Sequence, residues 1–329
     1  MKKFMNSTAT MLPESLTGFA QCNRDVVTLD SEFRFVRRKQ VKPGKVALIS
    51  GGGSGHEPLH TGFVGHGMLD AACPGQVFTS PTPDQMAAAA EAVESGAGVL
   101  FVVKNYAGDV MNFSLAAEMY GDKADTLVVD DDVAVERAAQ GAGRRGVAGT
   151  LVVEKLLGAA AEEGADLAAL KRLGSSVNSV TRSMGVALTS CTVPAVGRPT
   201  FDIGDDEMEV GVGIHGEPGR RRVAMTRADE IAGELVQAIV ADLGAAAGSD
   251  VLLMINGFGA TPSLELHLMY DAATRQLGER GLRPSRSLVG NYVTSLDMAG
   301  CSVTVTLLND ELTTLWDAPV HTAALRWRM

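Results

Sequence analysis

Short apolar runs alternate with segments of helical periodicity in the first half of the chain, and this alternation constrains the fold more than any other feature. Residues 46–50, 99–103 and 126–129 have the length and valine content of buried strands. Residues 84–95 and 109–120, which lie between them, have helical patterns. Strands that alternate with helices indicate βαβ units around a mostly parallel sheet. We therefore predict an α/β fold.

The pattern changes near residue 183. Before this point, residues 151–163 and 166–173 extend the helical layer. After it, strand-like and helical segments occupy residues 185–188, 208–214, 231–243, 251–255, 263–277 and 302–308, with a further strand near Leu288. We predict an N-terminal α/β domain, residues 1–183, and a C-terminal α/β domain, residues 184–329. Both have mostly parallel or mixed sheets, and we expect the ligand site at strand ends near the domain interface.

Charge and cysteine content exclude several classes of protein. The 29 basic and 39 acidic residues give a net charge of −10, which opposes binding to a nucleic-acid backbone. The cysteines form no CxxC pair, which fits a reducing compartment; they are Cys22, Cys73, Cys191 and Cys301. The chain has no apolar run of 18 residues, and its start lacks an apolar signal segment. We expect a cytoplasmic protein that binds neither membranes nor nucleic acid.

Two motifs in the sequence match functional patterns without their structural context. His56 and His60 fit the HExxH zinc pattern, but Pro58 lies inside it and a glycine-rich stretch precedes it. A zincin needs these histidines on one helical face, so we expect no metal site. Residues 211–216 fit GxGxxG, but Gly216, Glu217, Pro218, Gly219 and three arginines indicate a turn where a dinucleotide fold needs a helix. A Walker A sequence is also absent.

A glycine-rich stretch, residues 51–55, directly follows the strand at 46–50 and precedes a segment compatible with a helix. Such a loop can present backbone N–H groups to phosphate or hydroxyl oxygens. Lys104 ends the next strand and Asp109 begins the following helix. Because ligands bind beyond the carboxyl ends of parallel strands, Lys104, Asp109 and the loop from Gly53 to His56 are expected at one rim.

These motifs closely resemble the K subunit of the dihydroxyacetone kinase family. The resemblance is colinear over essentially the whole chain and is most specific in four stretches: GGGSGHEP at 51–58, FTSPTPD at 78–84, KNY at 104–106 and GIHGEPG at 213–219. It implies a phosphotransferase with an alcohol group as acceptor, of the glycerone kinase type. It also implies that His215 captures a short ketose covalently as a hemiaminal.

The resemblance assigns the remaining site residues. His56 and Asp109 correspond to the acid/base pair, with Asp109 accepting the proton of the attacking hydroxyl. The substrate-binding positions that match are Gly53, Ser54, Gly55, His56, Lys104 and Asp109. Dihydroxyacetone is the expected substrate, and a four-carbon ketose such as erythrulose is an alternative. A ketose-binding regulatory or sensor protein without catalysis is the alternative from another class.

The resemblance also implies partners. No nucleotide site is recognisable in the sequence, so we expect no cofactor in this chain and ADP or ATP with Mg²⁺ on a separate L subunit. The phosphoryl donor is either ATP itself or ADP that is recharged by the sugar phosphotransferase system. In the second case the M subunit of the phosphotransferase system would be an indirect partner. A homodimer is also expected.

Overall fold

The computed structural model describes residues 2–135, 143–217 and 219–329. The helices are α1 (Met11–Cys22), α2 (Pro83–Val93), α3 (Ala107–Tyr120), α4 (Gly149–Glu162), α5 (Leu167–Ser179), α6 (Ala228–Leu243), α7 (Ser263–Glu279) and α8 (Asp310–Asp317). The strands of the first half are β1 (Val27–Leu29), β2 (Val36–Arg38), β3 (Ala47–Ser54), β4 (Gly65–His66), β5 (Ala71–Val77), β6 (Val99–Lys104) and β7 (Ala124–Val129). Those of the second half are β8 (Thr181–Ala187), β9 (Glu207–Val210), β10 (Arg221–Ala224), β11 (Asp250–Gly257), β12 (Arg283–Gly290), β13 (Gly300–Leu308), β14 (Val320–Thr322) and β15 (Arg326–Trp327).

The chain forms two compact units, each assembled from separate segments. The first comprises the residues up to Val129 together with Thr150–Ser176 and Thr314–Met329. The second comprises Asp130–Gly149 and Val177–Thr313. The division of the sequence at residue 183 stays a prediction, because these units are defined by packing and not by contiguous sequence.

The first unit is built on a sheet with the strand order β1-β2-β5-β3-β6-β7. Its centre is parallel, because β3 pairs in parallel with both β5 and β6, and β6 pairs in parallel with β7. Alternate residues of β3 and β6, such as Ile49 and Phe101, pack against α2 and α3 through Met86 and Phe113. Their neighbours on the opposite face, such as Leu100, are also fully buried. A parallel sheet covered on both faces explains the continuous apolar runs in the sequence.

The second unit contains a sheet with the strand order β10-β9-β8-β13-β11-β12. Its pairings are antiparallel except the parallel pair β11–β12. One core joins this sheet to α6 and α7, with Ile239, Leu253 and Leu277 at its centre. The predicted α/β class with mostly parallel or mixed sheets is thus confirmed, with a parallel centre in the first sheet and a mixed, largely antiparallel second sheet.

Of the turn predicted at Gly216, Glu217, Pro218, Gly219 and the three arginines, Pro218 lies outside the described residues, and the arginines at 221 and 222 belong to a strand instead. No helix begins at Gly211–Glu217, and the chain leaves the sheet at Gly211, whose φ of +81° suits glycine. β10 then begins at Arg221 and pairs antiparallel with β9. Its side chains are mostly exposed. Charged side chains suit a strand at a sheet edge because they oppose pairing with another chain.

The cysteines are free thiols in the structure. Cys22 is exposed, whereas Cys73, Cys191 and Cys301 are buried. In the parts of the chain that the structure describes, no helix has the length and apolar content needed to cross a bilayer.

Candidate active site

The glycine-rich stretch is part of β3 and does not open a helix. β3 runs on to Ser54, residues 55–60 form turns, and only a short 3-10 helix follows at Thr61–Phe63. The predicted arrangement, a glycine loop at a helix N-terminus, is therefore wrong. The glycines instead allow close packing: a Cβ at Gly51 would lie 2.5 Å from the carbonyl oxygen of Cys73, and a Cβ at Gly52 would overlap the ammonium of Lys104.

Gly53 gives a test of this packing. A Cβ there would lie 2.5 Å from the backbone nitrogen of Thr79 and 2.6 Å from the Cα of Phe78. We expect Gly53→Ala to lower the free energy of unfolding by about 2 kcal/mol or more, because backbone atoms have to move. Gly278→Ala in α7 is the matched control, since no atom of the described residues lies within 4 Å of its added carbon. It should be neutral or stabilising by up to about 1 kcal/mol. Urea unfolding measures both, and equal midpoints would contradict the packing argument.

Lys104 and Asp109 form a buried ion pair in the first unit. Lys104 is the last residue of β6 and Asp109 lies in the first turn of α3, and both side chains are at most 4% exposed. The Lys104 Nζ lies 3.5 Å from Asp109 Oδ2 and donates to the carbonyl oxygen of Gly51 at 3.1 Å. Among the described residues, Asp109 Oδ1 has no hydrogen-bond partner. The predicted proximity of Lys104 and Asp109 beside the glycine strand is therefore present.

His56 and its neighbours occupy the turn after β3. The His56 ring is buried and stacks on Phe78, with centroids 5.0 Å apart and planes 15° apart. The Ser54 hydroxyl donates to the carbonyl oxygen of Gly75 at 2.7 Å, and the Gly55 N–H donates to the Glu57 carboxylate at 2.9 Å. The structure thus brings all the predicted substrate-binding residues into the first unit, at the carboxyl ends of β3 and β6.

His60 and Glu154 extend this cluster, and neither residue was predicted from the sequence to belong to it. The His60 Nε2 lies 3.0 Å from Lys104 Nζ, and its Nδ1 lies 2.6 Å from Glu154 Oε1. Burial, with the nearby charges of Lys104 and His56, lowers the pKa of His60 well below its ordinary value. Burial raises the pKa of Glu154 to about 8, against the opposing effect of Lys104. The only sequence signal was the HExxH pattern, which lies in turns and not on a helix.

His215 lies in the second unit, in the turn segment between β9 and β10. Its backbone N–H donates to Glu217 Oε2 at 2.9 Å, and its Nδ1 lies 3.4 Å from Glu217 Oε1. Burial acts to raise the pKa of Glu217, but the hydrogen bond and charge of His215, together with Arg145, lower it to about 2. A Cβ at Gly213 would lie 2.6 Å from the Arg145 guanidinium, so this side chain would have to shift. The carboxylate of Glu217, a motif residue to which the sequence analysis gave no role, orients the His215 ring.

The family model described as the Dak1 domain matches residues 17–324. The chain is 48% identical over 314 residues to the dihydroxyacetone-binding subunit DhaK of PTS-dependent dihydroxyacetone kinase 1 from Listeria innocua. This alignment covers 94% of the chain and 95% of the relative.

Two solved structures share the fold. One is a dihydroxyacetone kinase operon co-activator, Dha-DhaQ, with a TM-score of 0.89 and 34% identity, covering 94% of this chain and 97% of that one. The other is the dihydroxyacetone kinase of C. freundii in complex with AMP-PNP and Mg²⁺. It has a TM-score of 0.86 and 34% identity, and the match covers 98% of this chain and 60% of that one.

Proposed function

Because this chain belongs to the Dak1 domain family, we propose that it is the ketose-binding subunit of a dihydroxyacetone kinase. It captures dihydroxyacetone and positions a hydroxyl group for phosphoryl transfer. The observation that carries the kinase assignment is the buried pair of Lys104 and Asp109, in which Asp109 Oδ1 has no hydrogen-bond partner among the described residues. Ketose binding alone does not need a buried carboxylate that can accept a proton.

Capture is assigned to His215. The contact of its Nδ1 with the Glu217 carboxylate favours the tautomer with the proton on Nδ1, so that Nε2 carries the lone pair. Nε2 adds to the carbonyl carbon of the ketose, the C=O π electrons move to the oxygen, and this oxygen takes up a proton as Nδ1 loses one. The product is a hemiaminal that has lost no water. This step selects ketones and aldehydes over polyols such as glycerol, which have no carbonyl group.

Proton transfer is assigned to Asp109 and His56. Asp109 Oδ1 accepts the proton of the hydroxyl that attacks phosphorus, and the Lys104 ammonium compensates the charge of the buried carboxylate. His56, held against Phe78, hydrogen-bonds the substrate and assists this transfer. Gly53, Ser54 and Gly55 line the substrate position.

The nucleotide is assigned to a separate partner. The C. freundii kinase with AMP-PNP and Mg²⁺ extends well beyond the region matched by this chain, which supports a nucleotide site outside it. The Listeria innocua relative is described as PTS-dependent. We therefore assign ADP or ATP with Mg²⁺ to an L-type subunit, and the PTS-dependent relative favours ADP recharged by the phosphotransferase system over ATP itself.

The sensor function is the second candidate, and the co-activator supports it. The co-activator is 34% identical to this chain, whereas the kinase subunit from Listeria innocua is 48% identical. Since kinase subunits and a co-activator share the fold, similarity of fold alone does not separate the two functions.

Phosphorylation of a ketose panel tests the proposal. The purified chain is incubated with dihydroxyacetone, erythrulose or glycerol, alone or with a nucleotide-loaded L-type subunit. We expect phosphorylation only with the partner, fastest with dihydroxyacetone and absent with glycerol. ATP and a phosphotransferase-system donor are compared as separate arms. Turnover by the chain alone would contradict the partner assignment, erythrulose as the best substrate would change the substrate, and no turnover with any ketose would favour the sensor.

A further inference from the structure

We propose that His60 and Glu154 are positioning residues that hold the Lys104 ammonium against Asp109. This inference rests on the proposed function, since it concerns how the catalytic base is kept in place. The residues come from three places in the first unit: Glu154 from α4, His60 from the turn after β3, and Lys104 from the end of β6. Their contacts form one continuous buried chain that ends at Asp109.

The direction of each hydrogen bond follows from the chemistry of Lys104. An ammonium only donates, so the His60 Nε2, at 3.0 Å, has to accept. Nδ1 then carries the ring proton and donates to Glu154 Oε1 at 2.6 Å. The low pKa of His60, which results from burial, agrees with a neutral ring. Glu154 thus fixes the tautomer that lets His60 accept from Lys104.

This arrangement determines where the ammonium points. Lys104 has three N–H donors on a flexible stem of four carbons. The carbonyl oxygen of Gly51 at 3.1 Å and the His60 Nε2 accept two of them. The third is left for Asp109, whose Oδ2 lies 3.5 Å away. Without His60, the ammonium would lose one of the two acceptors that fix its orientation, and the buried Asp109 carboxylate would lose a well-placed counter-charge.

The test compares two substitutions of Glu154. Glu154→Leu removes the acceptor of the His60 proton, whereas Glu154→Gln keeps an oxygen that can accept it. The readout is turnover with the partner subunit divided by the fraction of chain that carries the ketose adduct, so that loss of folded protein cancels. We expect Glu154→Leu to lower this ratio by about tenfold or more, since small misplacements of catalytic groups have effects of this size. Glu154→Gln should lower the ratio much less, because its amide oxygen can still accept the His60 proton.

Glu162→Leu is the matched control. Glu162 is a nearly buried carboxylate on the same helix, 2.7 Å from Arg38, and none of its ion pairs involves Lys104. This variant should unfold more easily but keep the wild-type ratio. His60→Leu interrupts the chain of contacts at its next link, between Glu154 and Lys104, and replaces Glu154→Leu in the test if that variant does not fold. The proposal would be overturned if Glu154→Leu or His60→Leu kept the same ratio as Glu162→Leu. It would also be overturned if Glu154→Gln and Glu154→Leu lowered the ratio equally.

A double variant distinguishes this proposal from the function on which it rests. If Glu154 acts through Lys104 on Asp109, adding Glu154→Leu to Asp109→Asn should lower the ratio no further than Asp109→Asn alone. Additive losses would mean that Glu154 acts elsewhere and would overturn the inference while leaving the kinase function intact. If the wild-type chain with its partner phosphorylates no ketose, the proposed function itself fails.

Discussion

Replacing His215 by alanine is expected to abolish both the covalent ketose adduct and turnover. The imidazole is the nucleophile in the proposed capture step, and alanine has no atom that can form the bond to carbon. With dihydroxyacetone labelled with carbon-13 at the carbonyl, NMR of the wild-type chain should show conversion of the ketone carbon to a tetrahedral one. Native mass spectrometry should show the mass of one intact ketose, because a hemiaminal forms without loss of water.

His267→Ala is the matched control for this experiment. His267 is an exposed histidine on α7 in the same unit, so its removal should leave the adduct and turnover unchanged. An adduct on the His215→Ala chain would exclude His215 as the nucleophile. An adduct lighter by one water in the wild-type chain would point to an imine on a lysine instead of a hemiaminal.

The elements that carry the site were predictable because their signals are local. β3, β6, α2 and α3 were each predicted from an unbroken apolar run or a helical period, and each lies within a few residues of the predicted position. Both signals arise because the backbone geometry of a strand or helix fixes which positions along the sequence are buried, and these positions are apolar. The contact between Lys104 and Asp109 followed from the same local pattern, because the strand end and the helix start are neighbours in sequence.

Contacts between distant segments could not be predicted in this way. Glu154 lies 94 residues after His60, and no local pattern relates a helical glutamate to a turn histidine. In the second unit, Val303 of β13 lies opposite Met184 of β8, and this pairing makes the sheet largely antiparallel. Apolar periodicity identifies each strand but not its neighbour. The short strands β1, β4 and β15 were missed because two or three residues are too few for a period to be recognised.

The course of the glycine-rich stretch was mispredicted for a different reason. Glycine lacks a side chain, so a run of glycines is typical of a loop and gives no periodic signal. Here the run is buried strand, and close approach is what requires it: Cys73 lies beside Gly51, and Lys104 beside Gly52. The contacts that reveal this requirement come from other segments of the chain.

Asp109→Asn is expected to separate capture from phosphoryl transfer. Asparagine keeps the size and hydrogen-bonding capacity of the side chain but cannot accept the hydroxyl proton. Formation of the adduct depends on His215 and the carbonyl carbon, so adduct occupancy should stay near that of the wild-type chain. The kcat with the partner subunit should fall by about 10²–10⁴-fold, the usual contribution of general-base catalysis.

Both quantities are measured on one Asp109→Asn preparation, adduct occupancy by NMR and phosphorylation rate with the partner. Asp84→Asn is the matched control, since Asp84 is an exposed carboxylate in the first turn of the neighbouring helix α2 and should not affect the rate. Near-wild-type turnover by Asp109→Asn would show that Asp109 is not the base. Loss of both adduct and turnover would make Asp109 a binding residue, and His56 would then be the better candidate for the proton acceptor. A sensor protein would show no such separation, because it has no catalytic rate to lose.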